Sequence, residues 1–345
     1  MSALQLVRIL LLTSLSFIFA FACTPILTHF LYKYKMGKQI RNNGNTPIFT
    51  ALHLHKAGTP TMGGILIWGT LLVFIGFFYL LGMIFPGLTA LNFFSRPETL
   101  LPLVILIFSA LVGLFDDWLD IRGQGKGGLR MKHRLLIYTV IAALGAAWFY
   151  FKLDWTTLHI PFWKNLEIGA WYIPFFIFVI VATAFSVNET DGLDGLAGGT
   201  LLIAFASFAV ISFALGRYDL AAFCGVIIGA LLAFLWFNIT PARFIMGDTG
   251  AMSLGITLGV IALLTNSAFI LPLVGFIFVI ESLSVIIQMT SKRLRHGKKV
   301  FRSAPIHHHF QAIGWSEPKI VMRFWMIAGV AAAVGLAIFF LDIKF

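Results

Sequence analysis

The sequence predicts an all-α polytopic membrane protein with about ten transmembrane helices, and three observations carry that reading. Hydrophobic residues make up 59% of the 345-residue chain and charged residues 11%, against roughly 45 to 50% and about 25% in soluble domains. The apolar runs are roughly 20 residues long, the length that crosses a ~30 Å hydrocarbon core at 1.5 Å per residue. None of them alternates polar with apolar, as the strands of a membrane barrel would.

The runs are Leu4 to Phe30, Gly63 to Leu81, Leu100 to Phe115, Leu135 to Phe151, Tyr172 to Val187, Leu196 to Leu215, Leu220 to Phe237, Ala251 to Thr265, Ala268 to Met289 and Val321 to Leu341. The first carries Arg8 and an Ala20-Phe21-Ala22-Cys23 stretch like a poor lipobox, but its length and basic exit loop predict a retained helix rather than a cleaved leader. An even number of spans puts both termini on one side. The loops at 31–62, 116–134, 188–195, 238–250 and 290–323 hold 19 of the 25 Lys and Arg residues. By the positive-inside rule these loops are cytoplasmic and both termini are periplasmic. No long soluble segment interrupts the runs, so residues 1–345 read as a single membrane domain. The net charge of +11 is this topology signal plus attraction to anionic membrane lipids. Split among separate loops, it does not suit nucleic acid. Cys23 and Cys224 lie inside apolar runs and read as small core hydrophobes. The longest outer loop, from Lys152 to Trp171, has two short segments that could pair as a hairpin on the membrane surface.

Eight of the fourteen acidic residues fall in the five loops read as cytoplasmic, most of them in short motifs at the ends of apolar runs. Asp116 and Asp117 close a run at a helix C-terminus, where the helix dipole disfavours carboxylates. Neighbours on a helix point ~100° apart, which predicts different jobs: one to hold a hard cation, the other to meet a substrate. Asp191 and Asp194 stand three apart among glycines 192, 195, 198 and 199, an arrangement that suits close approach of a ligand and also suits a tight turn. Asp248 sits between Gly247 and Thr249-Gly250 directly before a helix, where backbone N–H groups and a carboxylate-bound metal can face a diphosphate. Lys56 heads Lys-Ala-Gly-Thr-Pro-Thr-Met-Gly-Gly, a loop that could hold a phosphate or serve only to turn the chain into the next helix. The consecutive His307, His308 and His309 suit a phosphate or sugar better than zinc, since adjacent positions rarely chelate one ion and no Cys lies nearby. Glu281, inside an apolar run, must face the bundle interior, with a Lys or Arg of the last loop as its expected partner. Oxygen donors without thiolates point to Mg²⁺ or Mn²⁺. With basic loops at a membrane surface, they indicate phosphoryl chemistry on a lipid. A cation-coupled transporter would instead keep its acids near the bilayer midplane in repeated halves.

In this order, Asp116-Asp117, Asn188-Glu-Thr-Asp-Gly-Leu-Asp-Gly-Leu-Ala, Asn238-Ile-Thr-Pro-Ala-Arg-Phe-Ile-Met-Gly-Asp248 and Ala304-Pro-Ile-His-His-His-Phe310 resemble the phospho-N-acetylmuramoyl-pentapeptide-transferase family, within the polyprenyl-phosphate N-acetylhexosamine-1-phosphate transferases. The resemblance runs from about His53 to the last helix. It implies a ten-helix, usually dimeric enzyme of the bacterial inner membrane whose active site faces the cytoplasm. Such an enzyme moves phospho-MurNAc-pentapeptide from UDP-MurNAc-pentapeptide onto undecaprenyl phosphate, giving lipid I and UMP, with Mg²⁺ as cofactor. By the same resemblance Asp248 binds Mg²⁺, Asp117 supports the metal site, and Asp116 deprotonates or orients the lipid phosphate. Asn188, Asp191, Asp194, Asn238 and Lys56 contact the nucleotide or diphosphate, and His307, His308 and His309 separate this family from its GlcNAc-1-phosphate transferase relatives, the alternative reading. Four positions depart from the family pattern. Asp120 replaces a Lys, with Lys126, Lys132 or Arg134 as possible compensation; Glu189 replaces an apolar residue; Ile245 replaces a Phe beside Phe244; and Gln311 replaces a Glu.

Overall fold

The computed structural model describes residues 2–37, 56, 58–96, 98–123, 128–163 and 165–343. In chain order its helices are α1 (Ser2–Lys33), α2 (Ile65–Ile84), α3 (Leu100–Arg122), α4 (Met131–Lys152), α5 (Tyr172–Thr190), α6 (Leu196–Ala214), α7 (Tyr218–Asn238), α8 (Asp248–Leu264), α9 (Leu271–Val274), α10 (Phe276–Leu294), α11 (Ile306–Ala312) and α12 (Glu317–Asp342). Among the described residues, eight helical segments are long and apolar enough to cross a membrane, and each of the ten apolar runs of the sequence is mostly helical.

The layering follows from which helices carry small residues. α8 is the central post: every residue from Thr249 to Leu264 is buried. Its glycines let α5 approach closely, since a Cβ at Gly259 would lie 2.6 Å from the Thr183 hydroxyl and one at Gly255 would lie 3.0 Å from the Thr183 carbonyl. α1 crosses α7 in the same way, where a Cβ at Gly229 would come within 2.2 Å of the Thr13 carbonyl. There the Ser16 hydroxyl donates to the Val226 carbonyl at 2.7 Å. Small residues at helix crossings replace the hydrophobic drive that lipid cannot supply. Other buried hydroxyls, such as Thr70, Thr200 and Thr257, donate back to the carbonyl four residues earlier and are satisfied within their own helix.

The run read as one helix from Ala268 to Met289 is broken. Leu271–Val274 is a single turn containing Pro272, and Gly275 separates it from Phe276–Leu294. The following helix, α10, is polar inside and apolar outside. Glu281, Ser284, Gln288 and Ser291 are buried, while Leu283, Ile286, Ile287 and Met289 face outward. That inversion marks a membrane helix with polar surroundings on its inner face.

The predicted hairpin is present at the end of the bundle away from the acidic motifs. β1 (Thr157–His159) pairs antiparallel with β2 (Asn165–Glu167), in the register Thr157 with Glu167 and His159 with Asn165. Phe162, Trp163 and Trp171 are exposed around it. His159 bonds to Asn165 at 2.8 Å and to the Asp342 carboxylate, whose second oxygen accepts from the Phe162 N–H at 2.7 Å. Burial works against a charged His159 ring, but the bonds to Asp342 and Asn165 outweigh it and raise the pKa above the ordinary value. At the same end, Arg8 of α1 pairs with Asp219 at 2.7 Å, and Glu98 accepts from the N–H groups of Asp219 and Leu220 at the start of α7.

Candidate functional site

Four helix ends meet at the opposite end of the bundle, and each brings one polar side chain. The C-terminal end of α3 supplies Asp116, the N-terminal turn of α4 supplies Arg134, the last turn of α5 supplies Asn188, and α8 begins at Asp248. The Arg134 guanidinium lies between the two carboxylates, 2.8 Å from Asp116 and 2.5 Å from Asp248, and also donates to the Asn188 amide oxygen at 3.1 Å. The Asn188 amide nitrogen donates to the other oxygen of Asp248. Asp116 accepts in addition from the Leu129 N–H at 2.5 Å. Glu189 is within electrostatic reach of Arg134, Asp248 and Glu281.

Asp117 does something different, as the ~100° between helix neighbours predicts. Its two oxygens accept from the N–H groups of Asp248 and Thr249, both at 3.0 Å, and the Thr61 hydroxyl is 3.3 Å away. It therefore caps α8 from another helix, satisfying N–H groups that have no partner within the helix. Gly113 and Gly247 allow this fit. A Cβ at Gly113 would lie 2.4 Å from the Asp248 carbonyl, and Gly247 has φ +73°, with the Asp117 carboxylate 2.6 Å from where its Cβ would be. Asp191 accepts from the Gly247 N–H at 3.2 Å and so braces the same turn.

A second group lies beside the first. The Lys56 ammonium bridges Asp194 at 2.7 Å and Glu317 at 2.5 Å. Asp194 accepts from the Ala242 N–H, and Glu317 from the Asp194 N–H. Asn238 is a clip between loops: its oxygen accepts from the Gly195 N–H and its nitrogen donates to the Phe244 carbonyl, both at 2.9 Å. In the loop after Lys56, the N–H groups of Gly63 and Gly64 donate to the Ile245 and Met246 carbonyls, which is the chain-turning alternative for that segment. Phe244, the aromatic residue beside Ile245, is fully buried against Phe234 and Phe237 and has no face open to a ligand.

The three histidines are not equivalent. His307 is completely buried, with one ring nitrogen 2.9 Å from Glu281 and the other 3.1 Å from His308. The partner of Glu281 is thus a histidine, not the Lys or Arg expected from the sequence. Burial, with Lys56 nearby, pushes the His307 pKa down to about 3, so the ring is neutral. Its ring lies against Gly192, where a Cβ would be 2.2 Å from the imidazole. His308 is 2.9 Å from Gln311, and His309, partly exposed, accepts from the Arg302 N–H at 3.2 Å.

Of the three candidates to replace the missing Lys at position 120, Arg134 is drawn into the site and Lys132 is exposed, while Lys126 lies outside the described residues. Asp120 accepts from the Gly128 N–H at 2.9 Å, tying the chain just before α4 to the end of α3. Glu317 was not singled out in the sequence; its only signal was a carboxylate just before the last apolar run. Among the described residues no group of three His, Cys, Asp or Glu side chains converges on a metal position. Asp116 and Asp248 nonetheless form an all-oxygen pair that already requires a cation between them. Two carboxylates fit an ion such as Mg²⁺ that completes its shell with water and substrate phosphate.

The fold and this site define a polytopic membrane transferase. Residues 99–266 match the Glycosyl transferase family 4 model, and residues 56–67 match phospho-N-acetylmuramoyl-pentapeptide-transferase signature 1. The phospho-N-acetylmuramoyl-pentapeptide-transferase of Chloroflexus aggregans is 39% identical over 97% of this chain and 90% of its own length. Those of Thermodesulfovibrio yellowstonii and Clostridium perfringens are each 38% identical, over 95% and 96% of this chain and 92% and 98% of their own lengths. The chain belongs to the phospho-N-acetylmuramoyl-pentapeptide-transferase family.

Proposed function

We propose that this protein transfers phospho-MurNAc-pentapeptide from UDP-MurNAc-pentapeptide to undecaprenyl phosphate, releasing UMP and forming lipid I at the cytoplasmic face of the bacterial inner membrane. The observation that carries this reading is the convergence of Asp116, Arg134, Asn188 and Asp248, from four helices, at the membrane-surface end of the bundle. The Arg134 guanidinium balances the two carboxylates. A diphosphate arriving there offers that guanidinium anionic oxygens in their place, a geometry that arginine's planar fork suits. Asp116, freed from Arg134, orients the attacking lipid phosphate and takes any proton it carries. Asp248 would hold Mg²⁺, which when bound neutralises the diphosphate, and Asp117 fixes Asp248 through the start of α8. Asp191, Asp194, Asn238 and Lys56 shape the nucleotide side of the site, largely by holding its loops. On the sugar-phosphate side, His309 is the histidine with a partly exposed ring, and the buried His307 and His308 act by fixing the short helix that carries it. A homodimer is proposed with this activity and is checked by the mass of the protein in detergent.

The test is UMP release by the detergent-purified protein with undecaprenyl phosphate, Mg²⁺ and either UDP-MurNAc-pentapeptide or UDP-GlcNAc. Mg²⁺-dependent turnover of the first donor alone is expected. Turnover of UDP-GlcNAc would assign the chain to the sugar-1-phosphate alternative.

A further inference from the structure

On the outer wall of the bundle, at the end that carries the candidate site, α1, the end of α7 and the loop after it border an open pocket of about 440 Å³ lined by Thr24, Thr28, His29, Tyr32, Phe237 and Arg243, with Pro25. No acidic residue lines it. The Arg243 guanidinium stands 5.4 Å over the Phe237 ring and has no carboxylate partner among the described residues. Its backbone is fixed on both sides: the N–H donates to the Phe237 carbonyl at 2.9 Å, and the carbonyl accepts from the Tyr32 hydroxyl at 3.0 Å. The hydroxyls of Thr24, Thr28 and Tyr32 already donate to backbone carbonyls. The donors left to the pocket are therefore the guanidinium and the His29 imidazole, a set that recognises an anion.

The surroundings say which anion. Phe21, Ile26 and Phe30 of α1 and Trp236 of α7 face outward beside the pocket, and in a bilayer such side chains lie against acyl chains. Trp236 also packs edge-on to Phe21, the kind of aromatic placement found at headgroup depth. Lys33 and Lys35 follow at the end of α1, where basic residues attract an anionic leaflet. We propose that this pocket holds the phosphate of an anionic phospholipid, of the phosphatidylglycerol class, from the leaflet that the candidate site faces. Its acyl chains lie along α1 and α7. The proposal is independent of the transferase reading, because none of these side chains is among those proposed to meet substrate or metal, and only Phe237 packs against the site's loop, through Phe244.

Native mass spectrometry of the purified full-length protein, titrated with phosphatidylglycerol and separately with phosphatidylcholine, tests it. Phosphatidylglycerol is expected to bind in preference. Arg243→Ala is expected to weaken it about tenfold, the size of effect for losing one hydrogen bond to a charged group, with Arg243→Lys losing less and His29→Ala adding to the loss. An unchanged melting temperature for Arg243→Ala shows that the fold is intact. Equal binding of the two lipids, wild-type phosphatidylglycerol binding by both alanine variants, or displacement of the lipid by millimolar inorganic phosphate would each overturn it.

Discussion

Two clusters, each of two carboxylates around one cation, stand side by side at one end of this bundle and are built in different ways. In the first, Asp116 takes the Leu129 backbone N–H, but Asp248 accepts from the side chains of Arg134 and Asn188. In the second, Asp194 and Glu317 share Lys56, and each also accepts from a backbone N–H. A backbone donor cannot leave without unfolding its loop, whereas a side-chain donor can rotate away. Asp248 in the first cluster is therefore able to exchange partners when a ligand enters, and the second cluster is a brace. Exposure agrees for Asp248, whose side chain is 17% accessible against 4% for Asp116, 7% for Asp194 and 9% for Glu317.

The largest break in this comparison comes from Asp248→Asn. It keeps the shape but removes the charge that would meet Mg²⁺ and Arg134, and UMP release is expected to fall about a thousandfold, the upper range for losing one electrostatic stabiliser, with little change in melting temperature. Arg134→Ala comes next, with a loss of about a hundredfold. Arg134→Lys should fall between it and the wild type, since an ammonium is a point charge and cannot span Asp116, Asp248 and Asn188 together. Wild-type turnover by Arg134→Ala would show that its place between the carboxylates is incidental. Lys56→Met acts on the brace and should appear first in stability, at about 3 kcal/mol for a buried pair broken on one side, read from thermal or denaturant unfolding. If Lys56→Met instead leaves stability untouched and abolishes turnover, the two clusters have exchanged roles.

That division of labour explains what was legible in the sequence. The spans were readable because bilayer thickness imposes one length on every helix, and Asp116, Asp191, Asp194 and Asp248 stood out because carboxylates are costly next to apolar runs. Roles were harder to read, because they depend on which donor reaches which oxygen. Nothing in the order Asp116-Asp117 tells which of the two caps α8, since that is set by the crossing of α3 and α8 at Gly113. Arg134 was one of three possible compensating bases, and only the turn of α4 selects it. The break at Gly275 was hidden because its flanks are apolar on both sides. Local composition sees the membrane, while the site depends on contacts between residues more than a hundred positions apart, such as Arg134 with Asp248 and Lys56 with Asp194.

Two histidines carry the comparison to pH, with opposite signs and smaller effects. His307 has its pKa lowered to about 3, against about 6.5 when unfolded. Both states are neutral above that value, so nothing is lost there. Below pH 6.5 the unfolded chain takes up the proton that the folded chain refuses, and stability should decline by about 1.4 kcal/mol per pH unit. A His307→Gln variant should lack this part of the acid sensitivity. His159, at the far end of the bundle, has a raised pKa. Its contribution is fully present below about 6.5 and is lost as pH rises through its higher folded value. The difference in melting temperature between wild type and His159→Gln should thus be largest near pH 5.5 and shrink toward pH 8.5. It is expected to be the smallest of these effects, because the ring is partly exposed and solvent screens the pair. A difference that stays constant over that range would mean that the hairpin is held to α12 by packing and the Phe162 N–H alone.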